Sequence, residues 1–264
     1  MSNLSSQNKL HVTVSGTGPV VLLVHGFPLD HTMWAGQLGV LSDEYTLVAP
    51  DLRGFGQSPP LASDQLTMGQ CAEDLMELIQ ERWPDESVVL CGLSMGGYIA
   101  WEFWKRYRGR LRGLVLCDTR AAADSPEVAR GRQMMAMRVI ESGADEVADV
   151  MLPKLFANDT VERDPLVVER INGTMRSTSP ATIAAAQRGL AARESYVDRL
   201  PSVDLPCLCV CGEQDVITPT TEMREMAGVM PRATYVEIPH AGHMAPLEQP
   251  KVVNAHLREF LASL

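Results

Sequence analysis

The chain has 264 residues, of which 45% are hydrophobic and 21% are charged, and its formal net charge is −10 at pH 7. This length suits one large α/β domain, or one domain with an insertion, and the acidic balance argues against nucleic acid or an anionic membrane as a partner. The N-terminal segment lacks a signal-peptide pattern, and the apolar runs are too short to span a bilayer, so we expect a cytoplasmic protein.

Short apolar runs alternate with longer amphipathic segments along the chain, which is typical of a mostly parallel sheet with helices on both faces. The apolar runs predict strands at 11–14, 20–25, 46–50, 87–90, 113–117, 207–211 and 234–238. Amphipathic spacing predicts helices at 34–41, 67–82, 96–107, 220–229 and 246–261.

The alternation stops between Asp118 and Pro206. Residues 125–200 have helical spacing without a convincing strand. We therefore predict a helical cap, residues 121–200, inserted in a core formed by residues 1–120 and 201–264. A cap of this kind covers a site and excludes water.

One motif in the core indicates a nucleophile. The run Cys91-Gly92-Leu93-Ser94-Met95-Gly96-Gly97 lies between a predicted strand and a predicted helix, which gives the order strand, Gly-x-Ser-x-Gly, helix. A serine at such a sharp turn projects its hydroxyl from the sheet, beside the N–H groups of a helix N-terminus. Ser94 is therefore the candidate nucleophile.

A nucleophilic serine needs a base, and the base needs an acid to orient it. His243 lies in the loop between the last predicted strand and the C-terminal helix, and we prefer it to His240 as the base. Asp215 follows the strand at 207–211 and is the preferred acid. Asp118, at the end of the strand at 113–117, is the alternative acid, and Glu213 is a weaker third candidate.

An oxyanion needs backbone donors, one of which should lie in the loop after an early strand. That loop is residues 25–30, so the N–H groups of Phe27 and Met95 are the candidate pair. We expect His25 to hold this loop by hydrogen bonds rather than to act as the base. The segment 51–58 is a polar, glycine-containing turn to which we assign a structural role, because its spacing is not that of a phosphate-binding loop.

Together these motifs resemble the α/β-hydrolase superfamily over nearly the whole chain. The matching segments are 25–28 with Trp34, 51–58, 92–97, 212–215 with Pro219, and 242–250. The resemblance implies an α/β-hydrolase fold with a mostly parallel, eight-stranded sheet flanked by helices, and a helical cap after the sixth strand.

The resemblance also implies the roles of individual residues. By motif, Ser94 is the nucleophile, Asp215 the acid and His243 the base, while Phe27 and Met95 supply the oxyanion amides. Within the superfamily, residues 27–30 and 117–124 are most similar to bacterial carboxylesterases and 3-oxoadipate enol-lactonase-like hydrolases. Dehalogenases of the superfamily have Asp at the position of Ser94, which disfavours that activity.

The expected function is hydrolysis of a small carboxylic ester or lactone through an acyl-enzyme on Ser94, with no metal and no organic cofactor. The alternatives are C–C bond hydrolysis or cofactor-free peracid formation on the same triad and, more remotely, a non-catalytic ligand receptor.

The charge of residues 119–200 bears on the substrate, because 11 basic and 12 acidic residues leave this segment nearly neutral beside an acidic core. Its arginines, which include Arg120, Arg130, Arg132 and Arg138, either bind a substrate carboxylate or pair with nearby acids. We favour pairing, and hence a neutral, moderately apolar acyl substrate.

Overall fold

The structure is a computed structural model that describes residues 9–264, and the polar segment 1–8 lies outside the described residues. Its centre is a seven-stranded sheet with the order β1-β3-β2-β4-β5-β6-β7. Only β1 runs antiparallel to its neighbour, and the other strands are parallel. The strands are β1 (Val12–Ser15), β2 (Val20–Val24), β3 (Thr46–Pro50), β4 (Val88–Leu93), β5 (Leu111–Cys117), β6 (Cys207–Gly212) and β7 (Ala233–Ile238).

The helices fill the connections between the strands. They are α1 (Ala35–Leu41), α2 (Met68–Arg82), α3 (Met95–Tyr107), α4 (Pro126–Ser142), α5 (Asp145–Leu155), α6 (Asn158–Arg163), α7 (Pro165–Ser177), α8 (Pro180–Ala191), α9 (Thr220–Val229), α10 (Ala245–Glu248) and α11 (Pro250–Ala262). Within residues 9–264, no helix is both long enough and apolar enough to cross a membrane.

The strand count differs from the expectation drawn from the family resemblance. The described residues form seven strands rather than eight, and the long helical insertion follows the fifth strand, β5, rather than the sixth. Each of the seven apolar runs forms one strand, and the central strands β2–β6 are the ones that bury apolar side chains on both faces of the parallel sheet. The α/β-hydrolase fold itself is confirmed.

The sheet is buried by helices on both faces, as its apolar strands require. Alternate residues of β4 enter different cores: Leu90 packs in the cluster that contains Leu75 of α2, and Val89 packs in the cluster that contains Leu257 of α11. This alternation follows from the two-residue period of a strand. A sheet covered in this way leaves its carboxyl edge as the place where polar side chains can meet.

The predicted C-terminal helix at 246–261 is divided in two. Gln249 has φ −128° and ψ 56°, which separates α10 from α11. Pro250 explains the break, because the proline ring disfavours helical geometry in the residue before it and provides no N–H. The prediction of one continuous helix was wrong at this point.

Five helices, α4–α8, lie between β5 and β6, and we call them the inserted helices. They are attached to the sheet domain by specific hydrogen bonds. Thr178 Oγ1 donates to the carbonyl of Pro28 at 3.2 Å, and Thr182 Oγ1 donates to the carbonyl of Gly54 at 3.1 Å. These contacts bring the insertion directly onto the loops that follow β2 and β3.

Candidate active site

Ser94 occupies the single residue between β4 and α3, and it has φ 52° and ψ −109°. A positive φ strains a residue that has a side chain. The chain can turn so sharply because the residues two positions away on either side, Gly92 and Gly96, have no side chains. A Cβ at Gly92 would lie 2.3 Å from the carbonyl carbon of Gly96, and a Cβ at Gly96 would lie 2.3 Å from the carbonyl oxygen of Val24. Glycine is therefore required at both positions.

Two hydrogen bonds join this turn to the end of β5. The N–H of Ser94 donates to the carbonyl of Cys117 at 2.9 Å, and the hydroxyl of Thr119 donates to the carbonyl of Ser94 at 2.8 Å. Ser94 is half-buried, whereas its sequence neighbours are buried. The turn thus presents the serine at the carboxyl edge of the sheet on a rigid support. Sequence patterns gave no signal for the contribution of Thr119.

The loop after β2 lies against this turn. A Cβ at Gly26 would lie 3.6 Å from the Cβ of Ser94. His25 fixes the loop, since its Nδ1 donates to the carbonyl of Gly26 at 2.9 Å and its Nε2 accepts from the N–H of Leu52 at 3.0 Å. Burial lowers the pKa of His25. A neutral imidazole that uses both nitrogens in this way holds the loop and does not act as a base.

A second polar group holds the same loop from the side of β3. The carboxylate of Asp51 is fully buried. Its Oδ1 accepts from the backbone N–H of His31 at 2.8 Å, and its Oδ2 accepts from the N–H of Gln57 at 2.8 Å. The residues 51–58 thus have the structural role that we expected, and they connect the loop after β2 to the turn after β3.

Asp215 and His243 form a buried pair at the same edge of the sheet. His243 Nδ1 lies 2.8 Å from Asp215 Oδ2, and the two residues are 1% and 5% exposed. Asp215 Oδ1 accepts from the N–H groups of Ile217 and Thr218, at 2.7 and 3.0 Å. The hydroxyl of Thr218 also donates to Asp215 Oδ2. This contact was missed in the sequence, although a hydroxyl three residues after the acid was visible there.

The surroundings of Asp215 favour its charged form. Burial raises the pKa of Asp215, but the attraction of His243 and the hydrogen bonds from His243 and Thr218 lower it by more, so the net pKa lies below the ordinary value. An ionised carboxylate on Nδ1 fixes the imidazole with its proton on that nitrogen. The Nε2 of His243 is then the atom that can accept a proton.

The alternative acid, Asp118, makes different contacts. Its Oδ1 accepts from the N–H of Gly212 at 2.7 Å, while its Oδ2 is buried with no hydrogen-bond partner among the described residues. Burial, together with the negative charge of Asp215, raises the pKa of Asp118 well above its ordinary value. The structure therefore brings Asp215, and not Asp118, into hydrogen-bond contact with His243.

We predict that Asp118→Asn stabilises the protein at pH 8. Because the folded-state pKa of Asp118 is raised, its contribution to the free energy of unfolding is highest at low pH, where Asp118 is protonated. This stability is lost as the pH rises through the folded-state pKa. Asparagine cannot ionise, so the variant should melt about 2–4 °C above the parent at pH 8, the shift that about 1 kcal/mol gives in a domain of this size. The difference should narrow toward pH 4. Thermal melts across this range, with the exposed Asp43→Asn as a control, would contradict the prediction if the parent melted higher at pH 8.

The two other sequence candidates lie at the surface. The side chain of His240 is 68% exposed, and its Nδ1 lies 3.1 Å from Asp159 Oδ2. Glu213 is exposed, and it accepts from the backbone N–H of His240 at 3.2 Å. Asp215 and His243, in contrast, are buried and hydrogen-bonded to each other, so the geometry favours this pair.

The parallel strands explain why these groups share one edge. Ser94 follows β4, Asp118 follows β5, and the loops with Asp215 and His243 follow β6 and β7. Within residues 9–264, the hydrogen bonds join Asp215 to His243 but do not join Ser94 Oγ to His243. Contacts between a nucleophile and its base often form fully only when substrate is bound. Phe27 and Met95 directly follow the two residues that meet at the turn, Gly26 and Ser94.

This combination of sheet, strained serine turn and buried Asp–His pair defines a class of protein. A family model described as the alpha/beta hydrolase fold matches residues 19–250. The chain belongs to the α/β-hydrolase family.

Several characterised members are similar over nearly the full chain. The structure of a thermophilic esterase from Thermogutta terrifontis, in a malate-bound form, is 44% identical with a TM-score of 0.94, over 96% of this chain and 93% of that one. An enol-lactonase structure from Burkholderia xenovorans is 28% identical with a TM-score of 0.88, over 96% of both chains. The pimeloyl-[acyl-carrier protein] methyl ester esterase of Nitrosomonas europaea is 28% identical, over 92% of this chain and 95% of its own length. The resemblance to esterases and enol-lactonases is confirmed.

Proposed function

We propose that the protein is a serine hydrolase that cleaves a small carboxylic ester or lactone through an acyl-enzyme on Ser94. The observation that carries the proposal is the buried pair of Asp215 and His243, joined at 2.8 Å, at the sheet edge where Ser94 occupies a strained turn. A buried imidazole with its Nδ1 held by a carboxylate is built to take a proton on Nε2. The names of the similar esterases and of the enol-lactonase support an ester or a lactone as the substrate.

In the proposed reaction, His243 Nε2 takes the proton of Ser94 while Ser94 Oγ attacks the carbonyl carbon. The negative charge on the tetrahedral oxygen is received by the N–H groups of Phe27 and Met95, and donors of this kind stabilise the transition state by about 3–4 kcal/mol each. His243 then gives its proton to the leaving alcohol. A water molecule, deprotonated by His243, attacks the acyl carbon; the bond from that carbon to Ser94 Oγ then breaks, His243 returns the proton to Ser94 Oγ, and the acid leaves.

We also propose that the inserted helices act as a cap that selects a neutral, moderately apolar acyl group. Two kinds of contact support this. Three of the four candidate arginines are paired with acids: Arg120 with Glu222 at 3.4 Å, Arg132 with Asp124 at 2.6 Å, and Arg138 with Glu146. In addition, Val139 and Val147 of the inserted helices belong to the same apolar cluster as Phe27. An acid beside a guanidinium offsets its positive charge, which weakens its attraction for a substrate carboxylate.

A side-by-side substrate panel with an active-site label tests the proposal. The substrates are a short-chain p-nitrophenyl ester, a neutral lactone, a carboxylated lactone and a vinylogous diketone, and the label is a fluorophosphonate. We expect labelling at Ser94 and the highest kcat/KM on a neutral ester or lactone. A faster diketone reaction would indicate C–C hydrolysis, and a folded but unlabelled protein would indicate a receptor. A preference for the carboxylated lactone would overturn the proposal that the cap selects a neutral acyl group, but not the proposal of a serine hydrolase.

A further inference from the structure

Glu248, at the end of α10, uses its buried carboxylate in a way that the proposed reaction does not explain. Glu248 is 7% exposed. Its Oε1 accepts from the backbone N–H of Gly242 at 2.7 Å and from that of Met244 at 3.3 Å. Its Oε2 accepts from the backbone N–H of Ala157 at 2.8 Å. One carboxylate thus binds three backbone N–H groups that belong to two distant parts of the chain.

The first of these parts is the loop that carries His243. Gly242 and Met244 are the residues immediately before and after His243, so Oε1 fixes the backbone on both sides of it. Asp215 holds the imidazole ring at Nδ1. The two acids therefore have complementary tasks, because Asp215 orients the ring and Glu248 fixes the backbone from which the ring projects.

The second part is the entrance to α6, one of the inserted helices, because Ala157 directly precedes this helix. The contact is tight as well as polar. A Cβ at Gly242 would lie 2.8 Å from the nitrogen of Ala157 and 2.8 Å from the carbonyl carbon of Phe156. The loop with His243 and the start of α6 thus touch directly, and Glu248 supplies the hydrogen bonds that join them.

A carboxylate suits this place better than any neutral side chain. Both oxygens of Glu248 face N–H donors, and a glutamine would turn its own NH₂ group toward one of those donors. Burial raises the pKa of Glu248, although the hydrogen bonds from Thr160, Ala157, Gly242 and Met244 lower it. A buried carboxylate is stable only when hydrogen-bond donors replace the water that it has lost, and these partners do so for Glu248.

We propose that Glu248 is a positioning residue that couples the inserted helices to the loop of His243, so that the placement of the helices and the placement of the base depend on each other. The proposal rests on the proposed role of His243 as the base. It predicts that disruption of Glu248 lowers kcat far more than it changes KM, because a displacement of the base by about 1 Å can lower the rate about 100-fold.

The test compares Glu248→Gln with Glu213→Gln as a matched control. Glu213 also binds the loop of His243, through the N–H of His240 at 3.2 Å, but it is exposed, and within residues 9–264 no hydrogen bond joins it to the inserted helices. For a chromogenic ester we expect Glu248→Gln to lower kcat about 10–100-fold with KM within about 3-fold. The control should stay within about 2-fold of the parent, because exposed contacts contribute little.

Hydrogen exchange measured on the same variants separates coupling from a purely local role. Glutamine leaves an oxygen acceptor on one side and turns its NH₂ toward the other, so coupling predicts faster amide exchange on both sides, at Gly242 and Met244 and at Ala157, although only one side loses its acceptor. Faster exchange at 242–244 alone, or an unchanged kcat, would overturn the coupling. Exchange does not depend on turnover, so this readout stays informative even if Ser94→Ala shows the proposed function to be wrong.

A second variant keeps the proposal testable if Glu248→Gln does not fold. Ala157→Pro removes the backbone donor on the side of the inserted helices, at a residue whose φ of −62° and ψ of 148° already suit proline. Coupling predicts a lower kcat for this variant although no residue of the loop of His243 is changed. A parental kcat in a folded Ala157→Pro protein would overturn the proposal.

Discussion

Ser94→Ala is expected to lower the turnover of a short-chain chromogenic ester by at least about 10⁴-fold, while the protein stays folded. In the proposed reaction the oxygen of this hydroxyl forms the acyl-enzyme. Removal of the serine alone, or of the histidine alone, costs about as much as removal of the whole triad, on the order of 10⁶-fold in a well-studied serine protease. The remaining activity would come from substrate binding and from the N–H groups of Phe27 and Met95. Steady-state kinetics and circular dichroism measure the two outcomes.

Ser94→Gly is the matched control for this change. Both variants lack the hydroxyl, but only glycine relieves the positive φ of 52° at this residue. Backbone strain of this kind costs about 1–3 kcal/mol, and each kcal/mol shifts Tm by about 2–4 °C in a domain of this size, so the glycine variant should melt at least about 2 °C above the alanine variant. Full activity in either variant would exclude Ser94 as the nucleophile.

Asp215→Asn is expected to lower kcat about 10⁴-fold, as the corresponding change does in a serine protease triad. Asparagine can direct its NH₂ at Nδ1, and the imidazole then carries its proton on Nε2, where it cannot accept from Ser94. The substrate KM should change little, because Asp215 is buried behind the ring. The loss should therefore be visible in kcat and in the rate of fluorophosphonate labelling.

Asp118→Asn serves as the matched control for Asp215→Asn. The two carboxylates are neighbours, and both follow strands at the same sheet edge, but Asp118 bonds to the N–H of Gly212. Its raised pKa makes asparagine a close substitute for the protonated acid. We expect its kcat to stay within about 10-fold of the parent. The opposite order of effects would assign the acid to Asp118.

The location of the seven strands and of the candidate triad was predictable from the sequence for physical reasons. A parallel sheet needs short apolar runs, and its carboxyl edge collects the residues that follow those runs. Ser94 and His243 were predicted as candidates on this basis. The support in the sequence for choosing Asp215 over Asp118 was weaker, because both follow a strand at that edge. Only the path of each loop decides which carboxylate contacts His243.

Contacts between distant segments gave no signal in the sequence. Glu248 read as one residue of a C-terminal helix, yet its carboxylate reaches Ala157, 91 positions away. Thr119 supports the serine turn from the next strand along the sheet. The arrangement of the inserted helices could not be predicted either, because helical spacing shows that a segment is helical but not what it packs against.

The crowding around the serine turn also limits how the protein can change. No side chain fits at Gly92 or Gly96, where a Cβ would lie 2.3 Å from backbone atoms, so random variation in this region yields dead or unfolded protein. The inserted helices have room to vary, because Met134 and Met137 of α4 are 58% and 57% exposed. Directed evolution for a new acyl preference should therefore confine its libraries to residues 126–191 and keep Ala157 and Thr178, which attach this segment to Glu248 and to the loop after β2.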